Sequence, residues 1–118
     1  MAKFYMAEFI DKVTSKKFYK FGWTNHNDAL KRFEDSSYSD FDIKILASVY
    51  GTQDEVKLIE CVFLSLYPKN LWLETYLGDD RKWDGFSGIT EIVNLSDDQY
   101  SQALGAIYRI KQRRTNSQ

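Results

Sequence analysis

Residues 17–24 read KFYKFGWT. Taken as a strand, the run has two faces, with Phe18, Lys20 and Gly22 on one and Tyr19, Phe21 and Trp23 on the other. Residues 3–10, KFYMAEFI, are similarly aromatic and apolar, and the polar stretch Asp11 to Lys17 separates the two runs. Two short aromatic strands around a polar turn predict a β-hairpin.

Working outward, Asn27 or Asp28 can cap a short helix through DALKRFED, where Leu30 and Phe33 share a side. A serine-rich loop follows, and then FDIKILASVY (residues 41–50) predicts a third strand. Gly51 ends it, and Thr52 to Glu55 form a capping-box pattern. The helix opened there has an apolar stripe of Val56, Ile59, Phe63 and Leu66 and stops before Pro68. Residues 69–88 are aromatic but interrupted by Gly78, Gly85 and Gly88, which predicts irregular chain. A second capping box, Ser96 to Gln99, opens a last helix with the stripe Tyr100, Ala103, Leu104 and Ile107. The expected order is β-β-α-β-α, then irregular chain, then a helix. That is one α+β domain over residues 1–118 with a small antiparallel sheet, and a C-terminal helical extension over about 89–114.

Composition supports a single packed core, since 43% of the 118 residues are hydrophobic and 16% aromatic. The single cysteine, Cys61, rules out an internal disulfide and suits a reducing compartment. No run approaches the ~18 apolar residues of a membrane span, so a cytoplasmic protein is expected. The net charge of −1 gives no general attraction to nucleic acid, but the charge is unevenly placed. Lysines and Arg32 crowd the first third, Arg109, Lys111, Arg113 and Arg114 close the chain, and acids occupy the middle.

Four residues stand out as candidate chemistry: Tyr5, Lys20, Arg32 and Glu60. Their layout resembles the GIY-YIG nuclease superfamily. KFY at 3–5 takes the place of G-I-Y and KFG at 20–22 that of Y-I-G. The local match is to a branch whose second motif reads Y-K-I-G-x-T, here Tyr19, Lys20, Phe21, Gly22 and Thr24. Lys3 replaces the first motif's glycine, and the likeness covers about residues 3–70.

The resemblance implies a GIY-YIG type of fold and a small endonuclease hydrolysing DNA, with Mg²⁺ (or Mn²⁺) on Glu60. Arg32 would hold the scissile phosphate, and Tyr5 with Lys20 would handle the attacking water. Tyr19, Gly22, Thr24, His26 and Asn70 are supporting positions. The same chemistry follows from general needs. Phosphodiester hydrolysis wants a deprotonated water in line with the leaving oxygen, a carboxylate-held cation, and an arginine fork on the phosphoryl oxygens. Lys17, Lys31, Arg109, Arg113 and Arg114 are candidate phosphate contacts, whether the DNA is single- or double-stranded.

Each residue also has a plain structural reading: Tyr5 as a strand aromatic, Lys20 as a solvated lysine, Gly22 as a turn residue, Glu60 as a helix edge. The competing function is a catalytically silent module of this type that binds nucleic acid or inhibits a protein partner. Its acidic face would include Asp79, Asp80, Asp84, Asp97 and Asp98. A small, aromatic-rich protein of this kind would suit a phage acting in its bacterial host, against host defence in the silent case. A lone histidine and a lone cysteine far apart exclude a zinc site of the usual spacing. No phosphate-cradling glycine loop is present.

Overall fold

The computed structural model describes residues 1–25, 29, 39–67, 92–93 and 95–116. The predicted helix over 28–35 and the aromatic stretch 69–88 lie outside them. The hairpin is present as β1 (Ala2–Asp11) and β2 (Lys17–Thr24), followed by β3 (Phe41–Gly51) and α1 (Gln53–Leu66). A two-residue strand, β4 (Ile92–Val93), precedes α2 (Asp97–Asn116). The sheet order is β3-β1-β2-β4, and each of the three pairings is antiparallel.

The hairpin turn is built by Asp11. Its side-chain oxygen accepts the backbone N–H of Val13 (2.8 Å) and Thr14 (3.2 Å), and Ser15 donates back to the Asp11 carbonyl at 2.8 Å. Closing that turn puts Ser15 at φ 62°, in the left-handed region.

Both helices start where their capping boxes lie. Thr52 Oγ1 accepts the Glu55 N–H at 3.2 Å, and Glu55 Oε1 accepts the Thr52 N–H at 2.9 Å. The Ser96–Gln99 pair repeats the exchange at 3.2 and 3.0 Å. α1 ends at Tyr67, which is extended, the conformation a residue before proline prefers.

The core joins one sheet face to both helices: Phe4, Met6, Tyr19, Phe21 and Val49 meet Val56, Phe63, Ala103 and Ile107. Phe63 anchors α1, with ring centroids 5.1 Å from Phe4 and 5.2 Å from Phe21. Tyr100 of α2 sits 5.4 Å from Tyr19. The α2 stripe is the expected one, with Ala103 and Ile107 buried and Tyr100 and Leu104 packed against them.

Two expectations are corrected. Leu66 is 62% exposed, because ten residues on from Val56 the helix has turned it away from the sheet. Tyr67 closes the stripe instead. The extension expected from about residue 89 begins as sheet, since Val93 and Ile92 pair with Tyr19 and Lys20, and helix starts only at Asp97. Among the described residues no helix is long and apolar enough to cross a membrane.

Candidate functional site

Strand alternation turns Tyr5 and Lys20 to the sheet face away from Phe4 and Phe21. In the hairpin register Tyr5 stands opposite Gly22, and Lys20 opposite Ala7, so Tyr5 and Lys20 are diagonal neighbours. Lys20 Nζ donates to Tyr5 Oη at 3.3 Å and lies 5.4 Å from the centre of the Tyr5 ring. The pair is buried, with Tyr5 0% and Lys20 1% exposed.

Gly22 makes this arrangement possible. A Cβ placed there would fall 2.6 Å from Tyr5 Oη and 2.8 Å from Lys20 Nζ. The Tyr5 phenol and the Lys20 ammonium therefore occupy the space that any other residue would fill. The glycine serves a close approach and no turn, which is a different reason from the one its sequence context suggests.

Thr24, buried on the same face, pairs with Lys3. Lys3 is the residue that sequence reasoning passed over, having registered it only as a lost motif glycine. It is buried two positions before Tyr5 on that face, with its ammonium 4.8 Å from the centre of the Tyr50 ring. Strand alternation, counting back from Tyr5, is the signal that would have found it.

Tyr19 belongs to the opposite face. Burial and the carboxylate of Glu8 raise its phenol pKa above the ordinary value, with Tyr100 and Asp97 adding to the effect. Glu60 also lies on that side. It falls within the sheet-facing arc of α1, between Val56 and Phe63, and is half-buried. Phe63 packs on Phe4 and Phe21, so the sheet separates Glu60 from the Tyr5–Lys20 pair. Arg32, His26, Lys31 and Asn70 lie outside the described residues.

Of the candidate phosphate contacts, Lys17, Arg109 and Arg113 are exposed. Arg114 is engaged: its Nη1 lies 2.8 Å from Glu55 Oε2. Among the described residues no three His, Cys, Asp or Glu side chains converge as a metal-binding group. Glu60 alone offers one carboxylate, which fits Mg²⁺ only if water and phosphate oxygens complete the shell.

The described site thus joins a phenol to an ammonium on one sheet face and keeps a carboxylate helix on the other. A phenol oxygen that accepts from an ammonium is held in place and can exchange a proton with a neighbouring water. Compared with known protein families, characterised proteins and solved structures, the chain shows no match.

Proposed function

We propose that the chain is a small metal-dependent endonuclease of the GIY-YIG kind that hydrolyses DNA. The observation that carries the reading is the Lys20–Tyr5 hydrogen bond over Gly22, on adjoining strands of a sheet with β1 at its centre. The resemblance asks for that juxtaposition from its first two motifs.

In the reaction, water attacks phosphorus, the bond to the leaving oxygen breaks, and the water's proton must go elsewhere. Tyr5 Oη is assigned the relay of that proton, with Lys20 orienting the phenol and adding positive charge near the phosphoryl oxygens. Arg32 is assigned the phosphate fork. Glu60, to which the resemblance assigns the divalent ion, is carried on the other side of the sheet.

Two observations favour the second reading, a catalytically silent binding or inhibitory module. The pair is closed to solvent, and Glu60 is carried against the opposite sheet face. Hydrolysis requires that the Tyr5–Lys20 face open to a phosphate; a silent module does not.

Cleavage of supercoiled plasmid and of single-stranded DNA, each with Mg²⁺ and with Mn²⁺, decides between them. The nuclease reading expects cutting by the wild type and none by Lys20→Met at equal folded fraction. A wild type that cuts neither substrate with either ion overturns it.

A further inference from the structure

The two helices differ in what they show to solvent. On α2 the described exposed positions are Asp, Ser, Gln, Arg and Lys, with Tyr108 the one apolar exception. On α1, Leu58, Val62 and Leu66 are 66%, 45% and 62% exposed. Spaced by four, they stand one above the next as a ridge about 12 Å long, at 1.5 Å per residue. Cys61 and Ser65, also exposed, flank it. Single exposed apolar side chains are ordinary, but a contiguous run of them marks a contact surface. Val56 and Phe63, on another side of α1, are the residues its packing buries. The ridge therefore cannot turn inward without lifting the helix off the sheet.

We propose that this ridge is the contact surface for a second copy of the chain, paired about a two-fold axis at Val62. Three features select that occupant. The ridge reads Leu-Val-Leu in both directions. A two-fold axis at Val62 thus sets Leu58 against Leu66 of the second copy and Val62 beside its own equivalent, the self-complementarity that an isologous interface needs. Such an axis also brings like residues together, so a charge near it would oppose pairing. From Leu58 to Leu66 every exposed position of α1 is uncharged, and the exposed Asp54, Glu55 and Lys57 all come before it. The net charge of −1 leaves two copies almost without long-range repulsion. Ridges of four-residue spacing interlock at a crossing of about −50°, which confines the contact to roughly the length of the ridge. The interface is then below the ~1,200 Å² of stable complexes, so the dimer is weak and forms on concentration. The proposal is independent of whether the chain cuts DNA.

The test is sedimentation of the whole chain from micromolar to millimolar concentration. The wild type should pass from monomer to dimer, and the backbone amide signals of α1 should move with it. Val62 is half-exposed, so Val62→Glu and Val62→Lys should melt close to the wild type when dilute. Each alone should stay monomeric at millimolar concentration, because the axis sets two like charges together. Mixed in equal amounts, the two variants should associate again, and high salt should reverse it. Only a two-fold axis at Val62 places one variant's charge against the other's. Leu58→Gln, which leaves the axis untouched, should weaken the dimer at least about tenfold, since each dimer loses two partly exposed leucines. A wild type that stays monomeric at millimolar concentration overturns the proposal. So does a Val62→Glu protein that dimerises like the wild type, which would place self-association on another surface. Two variants that are monomeric alone and stay so when mixed would deny the two-fold axis and overturn it as well.

Discussion

Glu55 divides its carboxylate between two helices: one oxygen accepts the Thr52 N–H that starts α1, and the other accepts Arg114 Nη1 from the far end of α2, at 2.9 and 2.8 Å. Gly51 leaves the room, since a Cβ there would stand 2.9 Å from Arg114 Nη2. The C-terminal end of α2 is thereby fastened to the N-terminal end of α1. The Arg114 hydrogen bond, followed by those from Thr52, pulls the Glu55 carboxyl down from 4.5 to about 2.

The direction of that shift fixes a pH dependence. A carboxyl lowered in the folded protein adds stability above its unfolded value and loses it as pH falls through the folded one. The melting temperatures of wild type and Glu55→Gln should therefore differ by a constant amount down to about pH 5 and converge as pH approaches about 2. The Glu55 side chain is 45% exposed, so the gap should also narrow in high salt. A gap that persists at the acid end would show that the charge is not what holds the two helices together.

The ion pair bears on the proposal that the C-terminal cations contact DNA. Arg109 and Arg113 are exposed and one helical turn apart, and Arg114 is bonded to Glu55. In DNA-binding titrations against salt, Arg109→Ala with Arg113→Ala should reduce the slope of log affinity on log salt by about 0.9 for each duplex phosphate no longer neutralised. Arg114→Ala should lower the melting temperature and leave the slope unchanged. The opposite pattern would make Arg114 the DNA-binding cation and its bond to Glu55 incidental.

Gly105 lies within the twenty-residue α2, where glycine costs about 0.5–1 kcal/mol relative to alanine. The nearest atom to an added Cβ is Arg109 Nη1 at 3.4 Å, the end of a flexible side chain on the exposed surface. Gly105→Ala should raise stability by about 0.5–1 kcal/mol, a few degrees in melting temperature. A neutral or lower value would mean that Arg109 cannot swing aside.

Gly22→Ala should behave oppositely. Its Cβ would meet Tyr5 Oη and Lys20 Nζ below 3 Å, and the burial of both leaves little room for retreat. A loss of about 1–3 kcal/mol is expected. In a Tyr5→Ala background the same change should cost much less, because the clashing phenol is gone. Additive losses would place the strain elsewhere.

The hairpin, the third strand and both capping boxes were legible because each rests on local chemistry: alternation, a polar turn, a side chain reaching three residues along the backbone. The GIY-YIG type of the fold was an inference from a motif, and the α+β sheet with its helices is the part the structure establishes. β4 was not legible, since two residues carry no periodicity and pair with β2 only through the tertiary fold. The Tyr5–Lys20 juxtaposition depended on register, which sequence leaves open and the Tyr5–Gly22 pairing sets. Glu60 read as a border residue of α1, but which sheet face that helix would cover was not written in its own stripe. The Phe63 contacts with Phe4 and Phe21 decide it.

The buried pair gives the sharpest test of the proposed chemistry. Tyr5→Phe keeps the ring and its packing but deletes the oxygen that accepts from Lys20. Losing that partner should destabilise the fold by about 1.5–3 kcal/mol, as for a hydrogen bond to a charged group. If Tyr5 relays a proton, Tyr5→Phe should also slow single-turnover cleavage by about 10²–10⁴-fold under conditions where the variant is fully folded. Lys20→Met retains the apolar stem and removes the charge, so it should lower cleavage, and its loss should be less than additive with that of Tyr5→Phe, since a hydrogen bond joins the two residues. Glu60→Gln removes the charge assigned to the divalent ion, so it should lose turnover and still fold. A protein in which Tyr5→Phe loses stability but cuts at the wild-type rate would make the pair a core hydrogen bond and nothing more. One in which Glu60→Gln alone abolishes cutting would then move the reacting phosphate to the α1 face of the sheet.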